Sequence, residues 1–287
     1  MTDTTLQAFG KVLDKRLVEP LNRVLIGRQL VPVTRPAGFG KSAVEWATIT
    51  QMADGFMSYG FSSGNEDTLG FTQSNSKIPF YWKDFKIDRA MYENFKASGV
   101  GVDASIALSA AYVAAKVEDS AIILGITNDG TNYDLNGLYQ AAGNTYGGST
   151  FATNGNPTAA VANAYAALEA DNVPGNVPMN LVLHPDQRNE LRASRSTNGV
   201  REEPEMLEML NGGKIFSTNA MTAGTGMLLP SAEVLEPYVD FYLRVDWKTE
   251  LGMQSEHPET GDIIGRVYSG GILRVKQSNA ICTITGI

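Results

Sequence analysis

The stretch DASIALSAAYVAAKVEDSAII, residues 103–123, constrains this chain most. It lacks glycine and proline, and alanine, the best helix former, recurs throughout. Asp103 stands where a helix N-cap belongs. Ile106, Ala110, Val113, Val117 and Ala121 follow at spacings of three and four, the period of one helix face. The predicted element is a helix about 30 Å long at 1.5 Å per residue, the diameter of a small domain. Its predicted packing positions are Ile106, Ala110, Val113, Ala114 and Val117, with further alanines allowing close approach. Lys116, Glu118 and Asp119 rule it out as a membrane span. No other apolar run reaches the roughly 20 residues that crossing a bilayer takes. The helix is a scaffold rod.

Around the rod the pattern is mixed. Residues 5–28 carry Leu6, Phe9, Val12 or Leu13, Leu17, Leu21 and Leu25 at helical spacing, with Pro20 predicted to kink or split the helix. Residues 47–80 read as a long β-hairpin around a Ser-Ser-Gly-Asn-Glu-Asp tip. This arm holds Met52, Phe56, Met57, Tyr59 and Phe61, more apolar surface than a two-stranded hairpin can bury alone. Those five residues are expected to face another chain. A strand is predicted over 79–87, then a short helix to Ala97 and a Gly-Val-Gly break. Past the rod, residues 157–170 resume a helix, and NLVLHPDQRNELRAS reads as strand, turn and helix. GGKIFSTNAM, GTGMLLPSA and residues 238–250 read as strands. The tail GGILRVKQSNAICTITGI reads as a last strand pair bounded by Gly270-Gly271. The fold class is α+β.

Chemistry is hard to find. Gly40-Lys41-Ser42 resembles the end of a phosphate-binding loop, but the glycine required five residues earlier is replaced by Arg35, and Pro36 has no N–H to offer. A Pro/Gly turn is the preferred reading. The two histidines, His184 and His257, each precede a proline and lack a ligand neighbour at metal-site spacing. The single cysteine, Cys282, excludes an internal disulfide. The carboxylate pairs Glu118-Asp119 and Glu202-Glu203 are sequence neighbours that point in different directions on a helix, a poor arrangement for acid–base work. A net charge of −8 implies no basic surface for nucleic acid. No catalytic, cofactor-binding or metal residue is assigned, and no cofactor is expected. The opening Met-Thr-Asp-Thr-Thr has no basic or apolar leader pattern, so synthesis in a cytosol is expected.

In order, the N-terminal helix, the β arm, the FKIDR strand end, the rod finishing in VEDSAIILG and the following NGLYQAAG resemble the Hong Kong 97 fold. That is the shell-forming fold of tailed-phage capsids and encapsulins. Val117 to Gly125 and Gly137 to Gly143 carry the two most telling matches, and the resemblance runs over nearly the whole chain. It implies an N-terminal helix and arm over 1–46 and an extended β arm over 47–79. It also implies a peripheral domain over 80–135 plus 238–250, and an axial domain over 136–237 plus 251–287.

By the same resemblance the chain is a structural protein rather than an enzyme, and its main partner is itself, as pentamers and hexamers of an icosahedral shell. Two functions share the fold. As a viral major capsid protein it would enclose double-stranded DNA without sequence-specific contacts, with scaffold, portal and decoration proteins as further partners and the virion as its location. As an encapsulin it would enclose a cargo enzyme in a cytoplasmic nanocompartment. The Gly/Asn/Thr-rich loops and the short TGI terminus favour the viral reading; the compact N-terminus keeps the encapsulin alternative. A nucleotide-binding enzyme is the distant third.

Overall fold

The computed structural model describes residues 25–35, 42–49, 71–98, 105–127, 133–148, 151, 156–196, 199–253 and 262–287. Helix α1 (Gly27–Leu30) and strand β1 (Val33–Thr34) precede β2 (Ala43–Ile49) and β3 (Phe71–Lys77). Strand β4 (Phe80–Ile87) runs into α2 (Arg89–Ser98) and the rod, α3 (Ser105–Ile123). Strands β5 (Gly125–Thr127), β6 (Tyr133–Asn136) and β7 (Asn144–Gly147) follow. Next come α4 (Pro157–Ala170), β8 (Met179–Leu183), α5 (Pro185–Ala193) and α6 (Glu202–Met209). The chain continues through β9 (Ile215–Ser217), β10 (Thr225–Pro230), α7 (Ala232–Leu235), β11 (Val239–Met253), β12 (Ile263–Val275) and β13 (Cys282–Thr285).

Two sheets organise these elements. The first has the order β1-β11-β12-β4, with the long β11 and β12 antiparallel from Val239↔Val275 to Met253↔Ile263. Along β4 Tyr81, Phe85 and Ile87 are buried, Lys83 on the same face is exposed, and α3 packs against β4 and β12. The second sheet has the order β7-β13-β10-β8-β9, and all five residues of β8 are buried, as the apolar run MNLVL requires of a central strand. Helix α4 covers β13 and β7. Asn156 caps it, its side-chain oxygen accepting from Ala159 N–H, and Pro157 takes the first-turn position where a missing N–H is harmless.

The rod exists, but its rotation differs from the sequence expectation. Ala110 and Ala114 are buried as expected, whereas Ile106, Val113 and Val117 are 41%, 44% and 54% exposed. The buried face is instead the small one: Ala107, Ala110, Ala111, Ala114 and Ala115, continuing into Glu118 and Ile122. An alanine face lets the helix axis come close to the sheet, where larger side chains would hold it off. With apolar residues on both faces, periodicity alone cannot fix the rotation.

Two strand assignments also change. The tail strands do not pair with each other: β12 joins the first sheet and β13 the second. Residues 263–275, expected with the axial stretch, therefore sit beside β4 and β11. Gly270-Gly271 lies inside β12 rather than at its boundary, and a Cβ on Gly271 would come 2.4 Å from the Phe241 ring. The glycine there serves close packing, not a turn.

The arm has a root on its own chain. β2 and β3 pair from Ala43↔Lys77 to Ile49↔Phe71. Val44 and Ile78 are buried against Tyr242 and Ile272, and Trp46 Nε1 donates to Val275 O at 3.2 Å. Farther out Ala47, Thr72 and Gln73 are exposed. Met52, Phe56, Met57, Tyr59 and Phe61 lie outside the described residues, as do Asp103, residues 5–24 of the expected 5–28 helix, Gly40-Lys41 and His257.

Candidate assembly surfaces

The carboxylate pair that looked unsuited to chemistry turns out to be a clamp. No side chain of its own caps α1. Asp119 Oδ1 does so from the rod, accepting from Ile26 N–H at 3.0 Å and from Gly27 N–H. A Cβ on Gly27 would stand 2.9 Å from that oxygen and 3.1 Å from Ile122 Cβ, so a larger residue would have to push these rod side chains aside. Glu118, 1% exposed, takes both Nε and Nη2 of Arg28. The same guanidinium donates to Asp246 Oδ1 at 2.7 Å and Ser269 Oγ at 2.8 Å, and lies over the Phe241 and Trp247 rings.

One arginine thus ties the N-terminal segment to the rod and to both long strands of the first sheet. Burial works against its charge, but Glu118 and Asp246 outweigh that and hold its pKa above the ordinary value. Burial likewise acts first on Asp246, yet Arg28 prevails and leaves its carboxyl below the usual range. Asp119 goes the other way: burial dominates over its two N–H donors, and its pKa is raised.

The far end of the rod is closed by the second matched motif. Gly137, Leu138 and Tyr139 N–H groups donate to the carbonyls of Leu124, Ile122 and Ile123, which a helix end leaves without intrahelical partners. A Cβ on Gly137 would lie 2.4 Å from Gly125 N, so this crossing needs a glycine. VEDSAIILG and NGLYQAAG, read separately along the sequence, meet here.

Among the described residues, apolar surface stays open on the first sheet and on the rod. On the outer face of the first sheet stand Phe80, Trp82 and Ile264, at 43%, 53% and 45% exposure. Arg244 Cζ lies 5.2 Å from the Phe80 centroid, Arg266 Cζ 4.4 Å from that of Trp82, and Tyr268 meets Phe80 edge-on. The second is the stripe of Ile106, Tyr112, Val113 and Val117 along the rod. Beside it a cavity of about 220 Å³ is lined by Leu25, Tyr112, Lys116, Asp119 and Asn219, among others. Exposed large apolar residues grouped in this way mark interaction surfaces.

The other residues singled out by sequence have structural roles. His184 Nδ1 accepts from Asp186 N–H at the start of α5, and Glu202 Oε2 accepts from Ser194 Oγ at 2.6 Å. Cys282 is buried, which pushes its thiol pKa up to about 11. Among the described residues no group of three His, Cys, Asp or Glu is placed to hold a metal, and no helix is long and apolar enough to cross a membrane.

Comparison with known proteins follows from this geometry. The Linocin_M18 family, described as "Encapsulating protein for peroxidase", matches residues 5–241. A curated relative, the type 1 encapsulin shell protein EncA of Myxococcus xanthus (strain DK1622), is 24% identical over 279 residues, covering 96% of this chain and 91% of the relative. The virus-like particle of Pyrococcus furiosus superposes with a TM-score of 0.66 at 19% identity, covering 96% of this chain and 99% of the other. The capsid of Myoviridae phage XM1 gives 0.64 at 14% identity over 91% and 90%. These two likenesses show the fold, the shell-forming Hong Kong 97 architecture.

Proposed function

This chain belongs to the Linocin_M18 family of encapsulating proteins, and on that premise we propose that its copies close into a shell around a protein cargo. The observation that carries the shell is the arm. Its root, Val44 and Ile78, is buried on its own chain, while Ala47, Thr72 and Gln73 farther along β2 and β3 are exposed. The five apolar residues of the arm then gain their burial from a neighbouring copy, and the open face around Phe80 and Trp82 belongs to the same set of contacts. The peripheral part of each subunit is the first sheet with the rod, and the axial part the second sheet with α4 to α6.

For the contents, similarity to an encapsulin shell protein over 96% of the chain favours a cargo protein over a packaged genome, reversing the preference drawn from loop composition. The shell itself is structural, the chemistry residing in the cargo, and the location is a cytoplasmic compartment. A viral capsid is the second reading, favoured by the phage capsid likeness.

The test is to purify particles from the source cells and analyse what they hold. The encapsulin reading expects a protein in fixed ratio to the shell and no protected nucleic acid. Nuclease-resistant DNA of uniform length without such a protein would replace it by the viral one.

A further inference from the structure

Between α5 and α6 the chain makes a short hairpin in which Arg195 and Arg201 are bridge partners. Like charges placed directly opposite are unfavourable unless something answers them. The hairpin is tightly built. Ser194 Oγ donates to Glu202 Oε2 at its base, Ser196 N–H donates to Val200 O at 2.8 Å, and Arg195 Nη1 donates to Gly199 O at 3.2 Å. Val200, next to Arg201, is 61% exposed, the highest value among the large apolar residues described.

Helix α6 follows at once and carries the opposite character. It buries Glu202 and Met206, with buried Leu210 just past its end, and turns Leu207, Glu205 and Glu208 outward, with Leu207 43% exposed. Neither Glu205 nor Glu208 has an ion-pair partner among the described residues. The helix runs directly away from Arg201, so Glu208 lies about 10 Å along it at 1.5 Å per residue. A basic hairpin with one exposed apolar residue and an acidic helix face with one exposed apolar residue thus follow one another along the chain.

We infer that the Arg195–Arg201 hairpin of one copy docks head-to-tail on the outward face of α6 in the next. Arg195 and Arg201 pair with Glu205 and Glu208, and Val200 packs on Leu207. Every copy offers both halves, so the contact repeats and closes into a ring, as heterologous interfaces do when their rotation permits. This rests on the self-assembling shell proposed above.

The test uses the full chain carrying Val200→Cys and Leu207→Cys, oxidised with glutathione disulfide. The buried native Cys282 stays out of the reaction. A ladder of covalent multimers beyond the dimer is expected. Monomers alone overturn the contact, and dimers alone overturn its head-to-tail sense.

In parallel, Arg195→Glu with Arg201→Glu should raise the protein concentration needed for particles by about tenfold or more, since opposed like charges suppress docking. The further changes Glu205→Arg and Glu208→Arg in the same chain should restore it. Normal particles from the first variant, with no ladder from the cysteine variant, overturn the inference and leave the shell reading standing. A wild-type chain that forms no particles removes both.

Discussion

Arg28 and Glu118, 90 residues apart, are joined by two nitrogen–oxygen contacts, the longer of them 3.0 Å, and Glu118 is almost wholly shielded from water. The pair holds the N-terminal segment against the rod. Removing one member of a buried pair leaves the other charge without compensation, a loss of about 3–5 kcal/mol. Arg28→Met is therefore expected to lower stability by that amount in chemical denaturation. Adding Glu118→Leu should recover a large part of it, because the uncompensated charge is then gone.

The two aspartates around Arg28 should respond oppositely to acid. Asp119 has a raised pKa in the folded chain, so the fold binds its proton more readily than the unfolded chain does. Its unfavourable contribution is present above the raised value and is relieved as pH falls through it. Asp246 has a lowered pKa, so its contribution is present above the ordinary carboxylate value near 3.8 and is lost as pH falls through the lowered one. Thermal melting between about pH 3 and 7 should show this. Relative to wild type, Asp119→Asn gains as pH rises through the window, and Asp246→Asn loses most at neutral pH.

The rotation of the rod is tested by two aspartates three positions apart. Ala114 is 1% exposed, and Ala114→Asp buries a carboxylate without a partner, which should destabilise by several kcal/mol, in practice giving insoluble or molten protein. Val117 is 54% exposed, and Val117→Asp should leave the stability of the protomer within about 0.5 kcal/mol of wild type. Equal melting temperatures for both variants would contradict the rotation described.

Much of this fold was legible in the sequence because local signals agreed with the tertiary outcome. The rod, the helix over 157–170 and the apolar β8 were each placed to within a few residues. What escaped were facts set by distant contacts. Arg28 looked like an ordinary basic residue on an amphipathic helix, and only the folded chain brings it to Glu118 and Asp246. The rod's rotation was hidden because Val113 and Val117 outweigh alanine in any count of apolarity, although alanine is what the close approach to the sheet requires. Gly270-Gly271 looked like a strand boundary, and the Phe241 ring that explains Gly271 lies on the neighbouring strand β11.

The arm should matter to the shell more than to the subunit. Phe56→Ser with Phe61→Ser is expected to leave the far-ultraviolet circular dichroism and melting of the protomer unchanged. Sedimentation should show fewer particles, each missing contact weakening assembly by about 2–4 kcal/mol, the range of ordinary hot spots. A double variant that melts early would place these aromatics in the subunit's own core.

Electron microscopy with light scattering on the purified wild-type chain tests the central claim most directly. The account predicts closed particles of many copies, far larger than a single chain of 30.9 kDa. A monodisperse species of that single-chain mass at neutral pH, stable over the concentrations at which relatives of this fold would assemble, would contradict it.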